Sequence, residues 1–102
     1  IEKKTTFTLE EFNEAQKTGK TIVINSWNKF CGTCAKQVKI LNKAKEDFPE
    51  VVFLSYEQTK NQEIAELLDV EYWATIIVYK NSKETAKEIG ITDKEKIYSI
   101  IN

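Results

Sequence analysis

Cys31-Gly32-Thr33-Cys34 holds the only two cysteines of this 102-residue chain. The pair follows an apolar run, Thr21-Ile22-Val23-Ile24, whose branched side chains predict a strand buried on both faces. It precedes a lysine-rich stretch with helical periodicity, so both thiols sit where a strand hands over to a helix. In a chain of this size that arrangement marks a redox dithiol.

The chemistry favours this placement. The thiolate is the nucleophile in disulfide exchange, and a free cysteine has a pKa of roughly 8.5. A helix N-terminus offers unpaired backbone N–H groups and the positive end of the helix dipole, and both favour the thiolate. Two intervening residues let Cys34 fold back within bonding distance of Cys31. Cys31 would then attack a substrate disulfide and Cys34 would resolve the mixed disulfide. Two other uses of the pair are weaker. A zinc site needs further cysteine or histidine ligands, and the chain has no histidine and no third cysteine. A purely structural disulfide would close a very short loop and constrain the unfolded chain little.

The length suits one compact domain, residues 1–102. With 15 basic and 16 acidic residues the net charge is −1, which gives no electrostatic case for nucleic acid or an anionic membrane. No apolar stretch approaches a membrane span, and no signal peptide is visible. Ile1 comes first and the chain contains no methionine, so the start of the reading frame is expected to lie upstream. The compartment stays open: the cytoplasm is slightly favoured, and the periplasm or secretion also suits the motif.

Lys3 to Thr8 alternates and predicts an edge strand. Thr8-Leu9-Glu10-Glu11 reads as a capping box opening a helix to about Lys17, with Phe12 and Ala15 inward and Gly19 ending it. Thr21 to Trp27 is the strand leading to the cysteines. The next helix is expected from about Cys34 to Phe48, with Val38, Leu41, Ala44 and Phe48 on one stripe and Pro49 as the stop. Val51 to Ser55 predicts a strand, and Asn61 to Leu68 a short helix with Ile64, Leu67 and Leu68 inward. Thr75 to Tyr79 and Thr85 to Ile89 predict two strands joined by a turn at Asn81-Ser82. Thr92-Asp93-Lys94-Glu95 reads as a second capping box before a last helix, with Ile97 and Ile100 or Ile101 inward. The order β-α-β-α-β-α-β-β-α implies an α/β fold: a mixed central sheet of four to five strands with helices on both faces.

This order, with the cysteine pair after the second strand, resembles the thioredoxin family over essentially the whole chain. Ser26-Trp27-Asn28-Lys29-Phe30-Cys31-Gly32-Thr33-Cys34 is similar to the family's F-W-A-x-W-C-G-P-C. Thr75-Ile76-Ile77-Val78-Tyr79-Lys80-Asn81 is similar to the T-L-L-L-F-K-N that follows the family's cis-proline. Gly90 stands where the family keeps a glycine. The resemblance implies a thiol–disulfide oxidoreductase with Cys31 and Cys34 as its catalytic pair. It implies Phe30, Gly32, Thr33, Trp73, Ala74, Thr75, Gly90 and Ile91 as the substrate-facing set. Phe30, Trp73 and Ile91 are expected to ring the cysteines, with Trp27 packed beneath and Asn25 modulating the pair.

Several positions depart from the family pattern. Ala74 replaces the cis-proline. Either Trp73–Ala74 is trans and the loop is rebuilt, or packing holds a cis bond that costs about 2.5–4 kcal/mol without proline. Asn25 replaces a buried aspartate, and an amide accepts no proton at neutral pH, so exchange is expected to be slower. Thr33 replaces the proline between the cysteines. Its hydroxyl offers a hydrogen bond to a Cys31 thiolate, which would raise the potential. Phe30 replaces a tryptophan, and Lys39 replaces the proline that kinks the second helix. Lys29 and Lys36 flank the motif and are expected to be solvated.

The implied partners are protein disulfides and a second redox protein, such as a thioredoxin reductase or a membrane thiol carrier. No cofactor is expected, and the chain is expected to act as a monomer. Two alternatives keep the scaffold and change the task. One is a binding module in which two chains share a metal or iron–sulfur cluster through their cysteine pairs. The other is a chaperone-like domain that uses the apolar ring and has lost efficient exchange.

Overall fold

β1 (Ile22–Trp27) is buried along its full length. A strand covered on both faces must lie inside a sheet, and a computed structural model, which describes residues 5–102, places it there. The elements follow as α1 (Leu9–Lys17), β1, α2 (Gly32–Asp47), β2 (Val52–Glu57), α3 (Gln62–Leu68), β3 (Thr75–Lys80), β4 (Lys83–Ile89) and α4 (Lys94–Ile101). The sheet runs β2-β1-β3-β4. β2 is parallel to β1, with Asn25 opposite Ser55. β3 is antiparallel to β1, and β4 to β3.

Alternation along β1 divides the core. Ile22 and Ile24 join Phe7, Phe12, Leu54, Tyr56 and Leu68 on the face covered by α1 and α3. Val23 joins Leu41, Ala44, Ile76, Ile97 and Ile101 on the face covered by α2 and α4. Because the side-chain period of a strand is two, this register sends Asn25 and Trp27 to the α2 face as well. The fold is the mixed α/β sandwich that the element order implies.

Several boundaries differ from the sequence reading. Lys3 and Lys4 lie outside the described residues. Thr5–Thr8 forms no strand, although the Thr6 and Phe7 N–H groups both donate to the Ser55 carbonyl. Four strands therefore make up the sheet among the described residues, and α1 is the first element. Thr8 caps α1 as expected, its hydroxyl accepting the Glu11 N–H at 3.1 Å. α2 begins at Gly32, two residues early, because Cys31 itself is the N-cap. Leu67 is exposed while Ala65 and Leu68 are buried. Adjacent residues on a helix point about 100° apart, and α3 turns Leu68 to the core and Leu67 to its rim. Asp93 rather than Thr92 caps α4, accepting the Glu95 N–H at 3.1 Å. Asn81 and Ser82 both take positive φ (52° and 67°), as a two-residue hairpin turn requires.

Three tyrosines make this packing sensitive to alkali. Burial raises Tyr56 and Tyr79 above the ordinary value of 10.0, and Glu84 adds to the effect at Tyr79. Lost solvation and then the hydrogen bond to Asp47 push Tyr98 up to about 12. When the chain unfolds, each phenol regains the lower value. Their stabilising contribution is therefore full below pH 10.0 and disappears as the pH rises through the folded values, about 12 for Tyr98. The guanidinium midpoint is expected to fall between about pH 9 and about pH 12; a flat midpoint would contradict this origin.

Candidate active site

The end of β1 delivers the cysteines through a turn built on Asn28. Its side-chain oxygen accepts the Phe30 N–H at 3.0 Å, and its backbone carbonyl accepts the Cys31 N–H at 3.0 Å. Its amide nitrogen donates to the Thr59 hydroxyl at 2.9 Å, tying the turn to the segment after β2. An asparagine side chain that mimics a backbone turn in this way aims the next residues. Cys31 then caps α2, its sulfur accepting the Cys34 N–H at 3.1 Å. The two cysteines are joined in a disulfide with Cα atoms 5.2 Å apart. A sulfur that already receives a helix N–H is placed where a thiolate would be stabilised.

The two sulfurs have unequal surroundings. Cys34 is fully buried, in a cluster with Trp27, Cys31 and Ala74. Its sulfur lies 3.9 Å from the Ser26 carbonyl oxygen, an acceptor for the thiol proton once the pair is reduced. Cys31 lines an open groove with Thr33, Glu71, Tyr72, Trp73, Ala74, Ile89 and Gly90.

Opposite the cysteines, the loop into β3 is held by Ser26. The Ser26 carbonyl accepts the Ala74 N–H at 3.0 Å. The Ser26 hydroxyl donates to the Tyr72 carbonyl at 2.9 Å and accepts the Thr75 N–H at 3.2 Å. No peptide bond among the described residues is cis, so Trp73–Ala74 is trans, and the rebuilt loop is the outcome. The rebuilding falls on Ala74, at φ +60° in the left-handed region. Such a residue costs about 1–2 kcal/mol unless its surroundings hold it. Gly90, at φ +74°, donates its N–H to the Ala74 carbonyl at 2.8 Å. A side chain there would meet nothing within 4 Å, so the turn rather than crowding calls for glycine.

The residues named from the sequence separate into three groups. Thr33, Trp73, Ala74 and Gly90 meet Cys31 in the groove. Phe30 is 79% exposed and stands outside the groove, with the Lys29 ammonium 5.2 Å from its ring centre. Gly32 opens α2. Thr75 and Ile91 turn inward: Thr75 is buried, with its hydroxyl donating to the Tyr72 carbonyl, and Ile91 packs with the α2–α4 core. The expected apolar ring is therefore one-sided, with Trp73 next to Tyr72 and Ile89, two exposed residues that the sequence did not single out. Asn25 and Trp27 are both buried, and the Asn25 amide nitrogen and Trp27 indole N–H have no hydrogen-bond partner among the described residues. No third potential metal ligand joins the cysteines among the described residues.

Residues 3–102 match the family model described as Thioredoxin. A thioredoxin of Mycoplasma genitalium is 26% identical over 94 residues, covering 92% of each chain. Thioredoxin-1 of Saccharomyces cerevisiae is 28% identical over 83 residues, 81% of each. The X-ray structure of Fasciola hepatica thioredoxin superposes with a TM-score of 0.79 at 26% identity, over 91% of this chain and 88% of that one. Trxlp from Edwardsiella tarda gives a TM-score of 0.88 at 17% identity, over 94% and 95%, a likeness of fold alone. With a family match spanning both halves of the sheet and an oxidised cysteine pair heading the second helix, the chain belongs to the thioredoxin family of thiol–disulfide oxidoreductases.

Proposed function

We propose that Cys31 is the attacking thiol and Cys34 the resolving one in exchange with protein disulfides. The observation that carries this is the asymmetry of the pair: Cys31 borders an open groove at a helix N-terminus, and Cys34 is fully buried behind it. The Cys31 thiolate attacks one substrate sulfur and the other leaves as a thiolate. Cys34, having lost its proton, attacks the Cys31 sulfur; the 31–34 disulfide re-forms and the substrate departs as a dithiol. Asn25 supplies no carboxylate for that proton, which leaves toward water.

The groove suits an extended protein segment. Neither the N–H nor the C=O of Trp73 bonds to another described residue, so this edge can pair with a substrate backbone. Trp73, Tyr72 and Ile89 supply apolar contact beside it. Trp73→Ala is expected to raise the KM for a protein disulfide roughly five- to tenfold and to leave attack on a small aromatic disulfide unchanged. Equal KM values for wild type and variant would remove the groove from the substrate path.

Reducing equivalents would come from, or pass to, a partner redox protein such as a thioredoxin reductase or a membrane thiol carrier. The domain would act as a monomer without a bound cofactor. Equilibration in glutathione buffers tests the direction. A potential near about −270 mV marks a reductant, and one above about −200 mV marks an oxidant or isomerase in an oxidising compartment. Absence of a reversible two-electron couple would overturn the proposal. Thr33, exposed beside Cys31, favours the higher end.

A further inference from the structure

Gln37 is a polar side chain with no exposed surface, on the buried face of α2 one turn after Cys34. Its amide nitrogen donates twice, to the Ala74 carbonyl at 3.0 Å and to the Ile91 carbonyl at 2.9 Å. Both hydrogens of the amide are thereby used, and its own oxygen is buried without a partner among the described residues. Leaving a polar atom unsatisfied in the core is unfavourable, so the two bonds must serve a purpose that an apolar side chain would not. What they join is specific. The helix carrying Cys34, the loop carrying the left-handed Ala74 and the turn after β4 meet at this one amide, and Ala74 and Gly90 are walls of the groove beside Cys31.

We propose that Gln37 is a positioning residue that fixes the shape of the substrate groove by clamping the Ala74 loop and the Gly90–Ile91 turn to α2. Ala74 lacks the ring that would set its backbone, and its left-handed φ must be held from outside. Its carbonyl receives two donors, Gly90 N–H and Gln37 Nε2, and its N–H a third constraint from Ser26. Gln37 supplies the one link in this set that reaches the helix of the cysteines. Without it the groove walls would sample other positions, and an extended substrate would meet an edge no longer set for pairing.

The inference rests on the groove being the substrate path, and the test separates the two. Gln37→Met keeps the length and volume and removes the donors. Its KM for a protein disulfide such as insulin is expected to rise about fivefold, with the rate on a small aromatic disulfide and the potential of the Cys31–Cys34 couple unchanged. Gln37→Asn, a shorter amide, takes its place should the methionine variant fail to unfold cooperatively. In an Ala74→Gly background, where the left-handed backbone carries no side-chain clash, the effect of losing Gln37 is expected to shrink. An unchanged KM in Gln37→Met while Trp73→Ala raises it would overturn the role of Gln37 and leave the groove standing. An unchanged KM in both would overturn the groove itself. Equal slowing on both substrates with a shifted potential would place Gln37 in service of the cysteines instead, and would also overturn the clamp.

Discussion

Cys31→Ser is expected to reduce exchange to background, a loss of roughly a thousandfold or more, because an alcohol replaces the only groove-facing thiol. Cys34→Ser is expected to lose turnover as well but to keep the attack. It should therefore accumulate mixed disulfides with substrate, visible as adducts on non-reducing gels or by intact mass. The contrast follows from position: one sulfur caps the helix at the groove, and the other has no exposed surface. Equal trapping by both variants would show that either sulfur can be reached, and the assignment of roles would fail.

The second large effect concerns Ala74. Proline holds φ near −65°, whereas Ala74 sits at +60° and donates its N–H to Ser26. Ala74→Pro would remove that donor from a buried carbonyl, at about 1–3 kcal/mol, and would force the loop out of its present backbone. A loss of about 3 kcal/mol in unfolding free energy, read from guanidinium denaturation, is expected, together with a weaker fit to protein substrates. Ala74→Gly should behave differently. It relieves about 1–2 kcal/mol of left-handed strain and gives up about 0.8 kcal/mol of buried methyl. It also adds about 0.4–1 kcal/mol of unfolded-state entropy. The net change should stay within about 1 kcal/mol. A proline variant more stable than the wild type would mean that the loop does not require the left-handed residue.

What could be read from the sequence was what repeats or caps. The branched run of β1, the apolar stripe of α2 and the Thr8–Glu11 box each state their structure locally, and the cysteine pair states its chemistry. Ala74 announced itself as an anomaly in an otherwise matching segment, although its conformation came only with the fold. Gln37 and Asn28 gave no signal, because a glutamine or asparagine is ordinarily a surface residue and nothing local points to the Ala74 and Ile91 carbonyls that Gln37 meets or to the Thr59 hydroxyl that Asn28 meets. Tyr72 and Ile89 were hidden for a related reason. They approach Cys31 only because β3 lies between β1 and β4, a fact of sheet order rather than of either segment. Ile91 is the converse case: the family pattern suggested a groove residue, and its half-buried side chain packs against the α2–α4 core.

A four-stranded sheet has two outer strands, and each is a place where a second molecule could add itself. At β2 the rim is already occupied. The Ser55 carbonyl takes the Thr6 and Phe7 N–H groups, and Thr5 and Thr6 hydroxyls accept the Glu57 and Ser55 N–H groups. At β4 the rim is guarded by charge, with Lys83, Glu84, Lys87 and Glu88 in a strand of seven and Lys87 pinned to the Leu68 and Asp69 carbonyls. Stacking another strand there would bury those charges. On the proposed reading, in which an extended substrate pairs beside Cys31, strand-like pairing is confined to one short stretch next to a thiol and the flanks are kept from polymerising.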